Sequence, residues 1–450
     1  MLDDMEREQW SSKIAFVLAA AGSAVGLGNI WRFPYVAGEN GGAIFLLIYL
    51  LCIIAIGYPV MATEVAIGRK SRRNPVGAFK ELAPDTPWWL VGALGVFSGF
   101  VILSFYSVVA GWSIHYVVEA VRGFSAETNF QTLFFDHIGN PGLTLVYHAI
   151  FMLLTIGIIA FGVVKGIQRV VKVLMPVLMV ILVILVIRAL TLPGAGEGIE
   201  FFLRPELDNF TWGSLSTALG QAFFTLSLGM GAMITYGSYL SDDDNIADAA
   251  GQIVGLDTLI AIIAGLAIFP AVFALGGSVT DGPGLAFITL PGVFAQMPLG
   301  NFFGFLFFLL LTIAALTSAI SLLEVVTAWL TDEKGWERKK AAFLLGGVIF
   351  LVGIPPLLGF GPLEGFNVIG KDIQELYEWV ASDLLLPLGG LFMAIFAGHI
   401  WGFRKTAEEI NKNESKFRVG NVFGFTIKYV VPVLIAAILV IEILQTANVI

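Results

Sequence analysis

The sequence is poor in the residues that most often carry out chemistry or bind nucleic acid. Its 450 residues include one cysteine, Cys52, so no internal disulfide is expected. The four histidines are not spaced with a cysteine or an acid as metal ligands are. We also find no nucleophile constellation and no phosphate-binding loop, which argues against an enzyme. A formal net charge of −9, without a basic stretch, argues against a nucleic-acid partner.

Charge is scarce too, and long apolar segments take its place. Only 13% of the residues are charged, too few to cover a soluble protein of this size, whereas 57% are hydrophobic. A membrane-spanning helix needs about 20 apolar residues. Eleven such segments begin near residues 14, 42, 88, 143, 170, 214, 251, 302, 341, 380 and 422. The sequence therefore predicts an all-α polytopic membrane protein with no appended soluble domain.

The distribution of positive charge predicts the orientation in the membrane. With the N-terminus inside the cell, 20 of the 25 lysines and arginines fall in cytoplasmic segments, four fall outside, and Arg32 lies within a span. Because cytoplasmic loops carry an excess of lysine and arginine, this bias predicts a cytoplasmic N-terminus. An odd number of spans then places the C-terminus outside. The short loops and tails indicate a prokaryotic cell (inner) membrane.

The first span is interrupted by polar and helix-breaking residues. Residues 22–34 read GSAVGLGNIWRFP. Glycine lets the backbone leave the helix at little cost, and free carbonyl and N–H groups at mid-membrane bind cations and carboxylates. The alternative is that Gly22 and Gly26 let helices pack closely. That alternative leaves Arg32 unexplained, because a charge on a spanning helix costs about 2.5–3.5 kcal/mol. We interpret the stretch as a ligand site.

The sixth span carries a second interruption. Residues 221–231 read QAFFTLSLGMG, in which hydroxyls and two glycines break an apolar helix at mid-depth. Spans one and six are five helices apart, and an odd offset inverts the second half relative to the first. Broken helices at corresponding positions indicate an inverted-repeat secondary transporter with a site at the midplane. Chance clustering in a glycine-rich membrane protein is the alternative.

These motifs together resemble the neurotransmitter:sodium symporter family, in particular bacterial amino-acid transporters of the leucine-transporter type. The resemblance rests on residues 20–29 (AAGSAVGLGN), 32–34 (RFP), 39–42 (ENGG), the sixth-span run, Glu64 with residues 68–69 (GR), and 316–318 (LTS). It implies one transporter domain, residues 1–450, with 11 transmembrane helices in a 5+5 inverted repeat with broken helices 1 and 6. The implied parts are a cytoplasmic N-terminus (1–13), a first repeat (14–190), an inverted second repeat (214–402) and helix 11 (422–446).

The resemblance implies two sodium ions, each bound by buried oxygen atoms. The expected ligands of the first are the Ala24 carbonyl, Asn29, Thr225 and Asp257, together with the substrate's carboxylate. The expected ligands of the second are the carbonyls of Gly22, Val25 and Ala314 and the hydroxyls of Thr317 and Ser318. For these two hydroxyls the alternative is a hydrogen bond to the carbonyl one turn earlier.

Asp257 departs from the family pattern. Many relatives have asparagine there, and chloride-dependent animal members hold chloride near the positions of Tyr49, Gln221 and Thr225. Members that work without chloride supply a carboxylate nearby, usually one turn further on, where this chain has Ala261. We therefore expect Asp257 to supply the negative charge, so that symport is chloride-independent, with proton return after sodium leaves. A polar residue at a helix end is the alternative.

The resemblance also implies an amino-acid substrate. Amine-transporting relatives carry aspartate where this chain has Gly26, and glycine leaves room for the substrate's own carboxylate. The groups expected to bind that carboxylate are the N–H groups of Leu27 and Gly28 and the Tyr106 hydroxyl. The groups expected to bind the ammonium are the carbonyls of Ser23, Phe224 and Ser227. The apolar pocket would consist of Ile102, Phe224, Met230, Ser318 and Leu322. Because methionine adapts in shape, we expect large hydrophobic or aromatic side chains.

Alternating access requires a gate at each end of the site. The expected outer gate is Arg32 with Glu378, above Tyr106 and Phe224. The expected inner gate is Arg7 with Asp332 near Tyr239, and Trp10 caps apolar surface. Exposed ion pairs contribute about 0–1 kcal/mol, a weakness that suits a gate but equally describes ordinary surface pairs.

Two further segments are candidates for movement. Gly166 and Pro176 bracket the start of span five, and the family resemblance implies that this helix unwinds to admit water to the second sodium site. The loop 276–301 is interpreted either as a lid over the site or as an ordinary loop. Glu64, an acid within span two, is expected to bind unwound backbone N–H groups.

We therefore expect a sodium-coupled secondary symporter that imports amino acids by alternating access, in which sodium completes the substrate site. The expected partners are an amino-acid substrate, sodium ions and the lipid bilayer, whereas the oligomeric state stays open. The alternative is a sensor or channel that has the transporter fold without coupled transport. Sodium-dependent uptake distinguishes the two.

Overall fold

The computed structural model describes residues 8–125, 127–280, 282–413 and 418–446. Within these ranges the regular structure is helical, apart from an isolated bridge between Val368 and Lys371. Nine of the described helices are long and apolar enough to cross a membrane, and two shorter helices bent by 47° form a tenth candidate. The prediction of an all-helical polytopic membrane protein is confirmed. The count of eleven spans and the inverted repeat stay predictions.

Short connections join most of the helices. In chain order they are α1 (Lys13–Ala24), α2 (Gly28–Glu39), α3 (Ala43–Ser71), α4 (Pro75–Leu82), α5 (Trp89–Arg122), α6 (Phe130–Ile138), α7 (Pro141–Ala160), α8 (Val163–Leu190), α9 (Ala195–Leu203), α10 (Trp212–Thr225), α11 (Ala232–Gly237), α12 (Ile246–Ala274), α13 (Thr289–Ala295), α14 (Gly300–Lys334), α15 (Arg338–Leu358), α16 (Ile373–Ile400), α17 (Phe403–Ile410) and α18 (Asn421–Thr446). Two 3₁₀ turns lie at Leu207–Asn209 and Gly282–Leu285.

Side-chain caps explain where several helices begin. The first N–H groups of a helix have no partner within it, so a side-chain oxygen that accepts from them is stabilising. Four asparagines do this for α4, α6, α7 and α12, namely Asn74, Asn129, Asn140 and Asn245. Polar residues between the apolar segments thus mark the helix starts.

The first predicted break is present, and none of its glycines adopts a positive φ. α1 ends at Ala24, Val25 is extended (φ −73°, ψ 100°), and α2 begins at Gly28. Gly22 is helical and lies where α1 packs on α8, so that a Cβ there would be 3.1 Å from Val171. Close helix packing therefore accounts for Gly22, as the alternative interpretation held.

The second break separates α10 from α11 and does use the glycine backbone. Ser227, Gly229 and Gly231 all have positive φ, at 53°, 77° and 77°, a conformation that glycine adopts without steric cost. Glu64 of α3 accepts a hydrogen bond from the Gly229 N–H at 2.7 Å, as expected for an acid that serves unwound backbone. Both breaks therefore present backbone groups to the interior of the bundle.

Residues 282–297 of the loop 276–301 fold inward over α2. Leu285 and Phe287 are buried, and the Pro283 carbonyl accepts the indole N–H of Trp31 at 3.2 Å. These contacts favour the lid interpretation over an ordinary loop. In contrast, the segment between Gly166 and Pro176 is helical within α8, so its unwinding stays a prediction.

Candidate functional site

A small cavity lies between the two helix breaks. It is lined by Ala24 and by nine of the eleven residues predicted to bind substrate, namely Ser23, Gly28, Ile102, Tyr106, Phe224, Ser227, Met230, Ser318 and Leu322. The other two lie directly behind the wall. Leu27 donates its N–H to the Tyr106 hydroxyl at 3.1 Å, and a Cβ on Gly26 would overlap the Ser318 hydroxyl. The structure thus brings these residues together from five helices and the two breaks.

The polar end of the cavity is organised around Ser23. Its carbonyl accepts hydrogen bonds from the hydroxyls of Ser227, at 3.0 Å, and Ser318, at 2.9 Å. Its own hydroxyl donates to Ser321 at 2.6 Å, a residue that sequence reasoning missed. Ser321 lies one turn after Ser318 on α14, so helical spacing is the signal that identifies it. The carbonyl expected to meet the substrate's ammonium therefore faces the cavity among hydroxyl groups.

Asp257 is the centre of a buried polar cluster at the predicted first sodium site. The Asn29 amide donates to its carboxylate at 2.8 Å, and the Thr225 hydroxyl donates at 3.0 and 3.2 Å. The Tyr49 hydroxyl lies 3.5 Å from the same carboxylate. The Asn29 carbonyl oxygen accepts from the Gly26 N–H, so this side chain also spans the first break. A carboxylate among hydroxyl and amide oxygens in a dry setting suits a hard cation such as sodium.

The predicted second sodium site is brought together in part. The Thr317 hydroxyl donates to the Ala314 carbonyl at 2.9 Å and to the Val25 carbonyl at 3.2 Å. The Thr317 hydroxyl therefore hydrogen-bonds within its own helix, as in the alternative interpretation, and also contacts the first break. Ser318 instead donates to Ser23, and Gly22 lies on the face of α1 that packs against α8. Three of the five predicted ligands of the second sodium, namely Val25, Ala314 and Thr317, thus lie in contact.

Arg32 closes one end of the cavity. Its guanidinium lies over the Phe224 ring, 5.4 Å from the ring centroid, and donates to Glu378 and Gln221, each at 3.0 Å. A carboxylate oxygen of Asp383, on α16, lies 3.6 Å from the Arg32 guanidinium. The sequence analysis did not predict this partner, although an acid within a membrane span is a signal for one. The alternative of an ordinary surface pair does not fit Arg32 and Glu378, because their side chains are only 6% and 16% exposed.

Trp10, predicted near the inner gate, packs against the end of α11. Its backbone N–H donates to the Tyr239 carbonyl and its indole N–H to the Tyr236 carbonyl, both at 3.0 Å, and its ring packs edge-on against both tyrosines. Arg7 lies outside the described residues. Its predicted partner Asp332 accepts a hydrogen bond from the Asn74 N–H at 3.0 Å. The contacts of Arg32 with Glu378 and of Trp10 with Tyr239 are therefore formed at the two predicted gates.

A second ion pair near Trp10 was not predicted. Glu324 is fully buried and accepts the Tyr239 hydroxyl at 2.7 Å, and Arg338 donates to both of its carboxylate oxygens. Arg338 also donates to the Ile159 carbonyl at 2.9 Å. The pair therefore joins α14 to the start of α15 and the end of α7. An acid within the eighth apolar segment was again the available signal.

Broken helices around an enclosed, oxygen-lined cavity are the architecture of a secondary transporter. The profile of the Sodium:neurotransmitter symporter family matches residues 7–127 and 126–449. The chain belongs to this family, which confirms the resemblance inferred from the motifs.

Known proteins are similar over most of the chain. The uncharacterised sodium-dependent transporter YhdH of Bacillus subtilis is 44% identical over 398 residues, 88% of each chain. The sodium- and chloride-dependent taurine transporter of Rattus norvegicus is 30% identical over 457 residues, 87% of this chain and 70% of that one. The crystal structure of MhsT in complex with L-phenylalanine superposes with a TM-score of 0.91 at 48% identity, covering 97% of this chain and 99% of that chain.

Proposed function

We propose that this protein is a symporter that couples the inward movement of sodium to the import of amino acids with large hydrophobic or aromatic side chains. The cavity between the two breaks carries the proposal, because it combines hydroxyl and backbone groups around Ser23 with an apolar wall of Ile102, Met230 and Leu322. An amino acid has the same division between a charged end and an apolar end. The similarity to MhsT, which was crystallised with L-phenylalanine, supports an aromatic substrate.

The first break would bind the charged end of the substrate. The Tyr106 hydroxyl accepts the Leu27 N–H at 3.1 Å, so its own hydrogen is free to donate to a carboxylate. The Ser23 carbonyl would accept the ammonium in place of the serine hydroxyls. Phe224, held beneath Arg32, would close over the side chain.

Two sodium ions would couple to substrate through the same break. The cluster around Asp257 holds one ion beside the substrate's carboxylate, and the Val25 and Ala314 carbonyls with Thr317 hold the other. Coupling between sites is reciprocal, so substrate binding tightens sodium binding to the same degree. The sodium gradient then drives uptake of the amino acid into the cell. In the proposed orientation the N-terminus lies in the cytoplasm.

Alternating access would follow from the two closures. Breaking the contacts of Arg32 with Glu378 and Asp383 opens one route to the cavity. Releasing Trp10 from Tyr236 and Tyr239 opens the other. A state in which both sets of contacts are formed would be the occluded state of this cycle.

Chloride independence is proposed from Asp257, whose carboxylate lies within hydrogen-bonding reach of Tyr49 and Thr225, two of the residues expected at the chloride position. A resident negative charge there replaces a bound anion. Asp257→Asn removes the charge and keeps the shape, so uptake by this variant is expected to require chloride. Asp248→Asn is the matched control, since Asp248 lies on the same helix but pairs with Lys13 at 3.9 Å.

The test is uptake of labelled amino acids into proteoliposomes, with inward sodium compared with potassium and chloride replaced by gluconate. Sodium-driven accumulation of phenylalanine, tryptophan or leucine without chloride supports the proposal. Binding without accumulation identifies a sensor, and sodium-independent flux identifies a channel. Unchanged, chloride-independent uptake by Asp257→Asn contradicts the role given to Asp257.

A further inference from the structure

A second cavity, partly open to the surroundings, lies apart from the transport site, where the end of α8 meets α12, α13 and the start of α14. Arg188 is the one charged residue that lines it. The rest of the lining is apolar and includes Leu185, Ala271, Leu290 and Phe307. Neither the proposed transport cycle nor the family motifs use any of these residues.

The Arg188 side chain is incompletely satisfied. Its Nε is buried without a hydrogen-bond partner among the described residues. One Nη donates weakly to the Thr191 hydroxyl, at 3.4 Å, and the guanidinium lies over the Phe303 ring at 5.6 Å from the centroid. A buried donor on a charged group is costly to leave unpaired. An anion supplied from outside the chain would satisfy it.

Exposed apolar side chains surround the rim of the cavity. Residues next to its rim carry apolar side chains that are largely exposed, Ile187 at 59%, Phe302 at 51% and Leu299 at 74%. In the most apolar stretch of α8, only 33% is buried inside the bundle. Most of the surface of this helix therefore contacts the surrounding medium. Arg188 lies two residues before the end of this spanning helix. Arginines at helix ends reach the headgroup region of the bilayer.

We propose that this cavity binds one acyl chain of a bilayer phospholipid whose phosphate is held by Arg188. The planar guanidinium matches two phosphate oxygens, and the acyl chain covers the apolar wall. Leu290 and Phe294 belong to the loop that packs over α2, so a bound lipid would stabilise the closed position of that loop.

The test is photolabelling of the full-length protein in nanodiscs with phosphatidylglycerol that carries a diazirine near the end of one acyl chain. Peptide mapping is expected to place the label on residues 267–271, 290–297 and 303–307. Arg188→Gln is expected to reduce this labelling about tenfold, because hydrogen bonds to charged groups are among the strongest. Arg204→Gln is the matched control, since Arg204 follows in the same connection but is exposed and pairs with Glu200.

Competition on the unmodified protein tests the phosphate contact without relying on a variant. Unlabelled phosphatidylglycerol is expected to displace the probe, whereas diacylglycerol, which lacks the phosphate, is expected to displace it at least about tenfold less well. Equal competition by the two lipids overturns the role of Arg188. Labelling by a diazirine fatty acid but not by the phospholipid overturns the assignment to phospholipid, and label spread evenly over the lipid-facing helices overturns the site itself.

Discussion

Gly26→Ala adds a single methyl group at the point where the first break meets the cavity wall. The new Cβ would overlap the Ser318 hydroxyl and lie 2.8 Å from the Tyr106 hydroxyl and 3.0 Å from the Ser318 Cβ. Carbon atoms do not approach each other that closely, so both side chains must move. Each movement removes a hydrogen bond, Ser318 to the Ser23 carbonyl and Leu27 N–H to Tyr106.

The expected cost follows from these contacts. Two lost hydrogen bonds amount to about 1–3 kcal/mol, and overpacking a tightly packed interior costs about 1–3 kcal/mol. The two costs are not fully additive, because the same side-chain movement relieves the overlap and breaks the hydrogen bonds. We expect the occluded state to be destabilised by about 2–3 kcal/mol, which is a loss of substrate affinity of about 30- to 150-fold.

The assay is equilibrium binding of a labelled amino acid at saturating sodium, with the melting temperature of each variant as a check on folding. Gly157→Ala is the matched control, because a Cβ at Gly157 meets nothing within 4 Å. Alanine there is expected to leave binding unchanged and to stabilise α7 by up to about 1 kcal/mol. Wild-type affinity in a folded Gly26→Ala protein would refute the close approach on which the cavity description rests.

Three other substitutions test separate contacts. Arg338→Met is expected to destabilise the protein by about 3–5 kcal/mol because it strands the buried Glu324 carboxylate, and adding Glu324→Leu should recover most of that loss in a thermal melt. Glu64→Leu should cost about 1–3 kcal/mol by leaving the Gly229 N–H without its acceptor; Glu64→Gln, which keeps a carbonyl, should melt near wild type. Burial lowers the pKa of His137 to about 3, and its ring stacks on a second histidine at 3.8 Å. Its neutral form is therefore favoured in the folded protein, so stability is complete above the ordinary histidine pKa of about 6.5 and falls below it by at most about 1.4 kcal/mol per pH unit. His137→Phe should reduce that slope between pH 7 and 5, and an unchanged slope would contradict the stacking argument.

Residues that interrupt an apolar segment were the informative part of the sequence. Placing a serine, an asparagine or an arginine at mid-membrane costs free energy, so such a residue indicates a structural or functional role. The residues around Ser23, Asn29 and Arg32 were therefore candidates for a site. The family motifs then supplied partners from other helices, such as Tyr106 and Ser318, which periodicity alone does not connect to the first break. All of these except Asn29 and Arg32 line the cavity, and those two lie directly beside it.

Contacts that depend on how distant helices meet were not predictable in the same way. Val25 is an ordinary apolar residue with an ordinary φ value, yet the chain leaves the helix there, and Thr317 on α14 donates its hydroxyl to the freed Val25 carbonyl. Arg338 reads as one more positive charge in a cytoplasmic loop until the end of α7 and the buried Glu324 are placed beside it. Such assignments require the packed arrangement rather than the local pattern.

The first break also limits how such a transporter can change its substrate during evolution. Ser23, Ala24 and Val25 are consecutive, and they are assigned to the substrate, the first sodium and the second sodium in turn. A substitution that moves one of these peptide units shifts all three affinities together, so most changes there would impair transport before they altered selectivity. Ile102, Met230 and Leu322 face the same cavity from other parts of the chain. New specificities are therefore expected to arise at those three positions while the break itself stays the same.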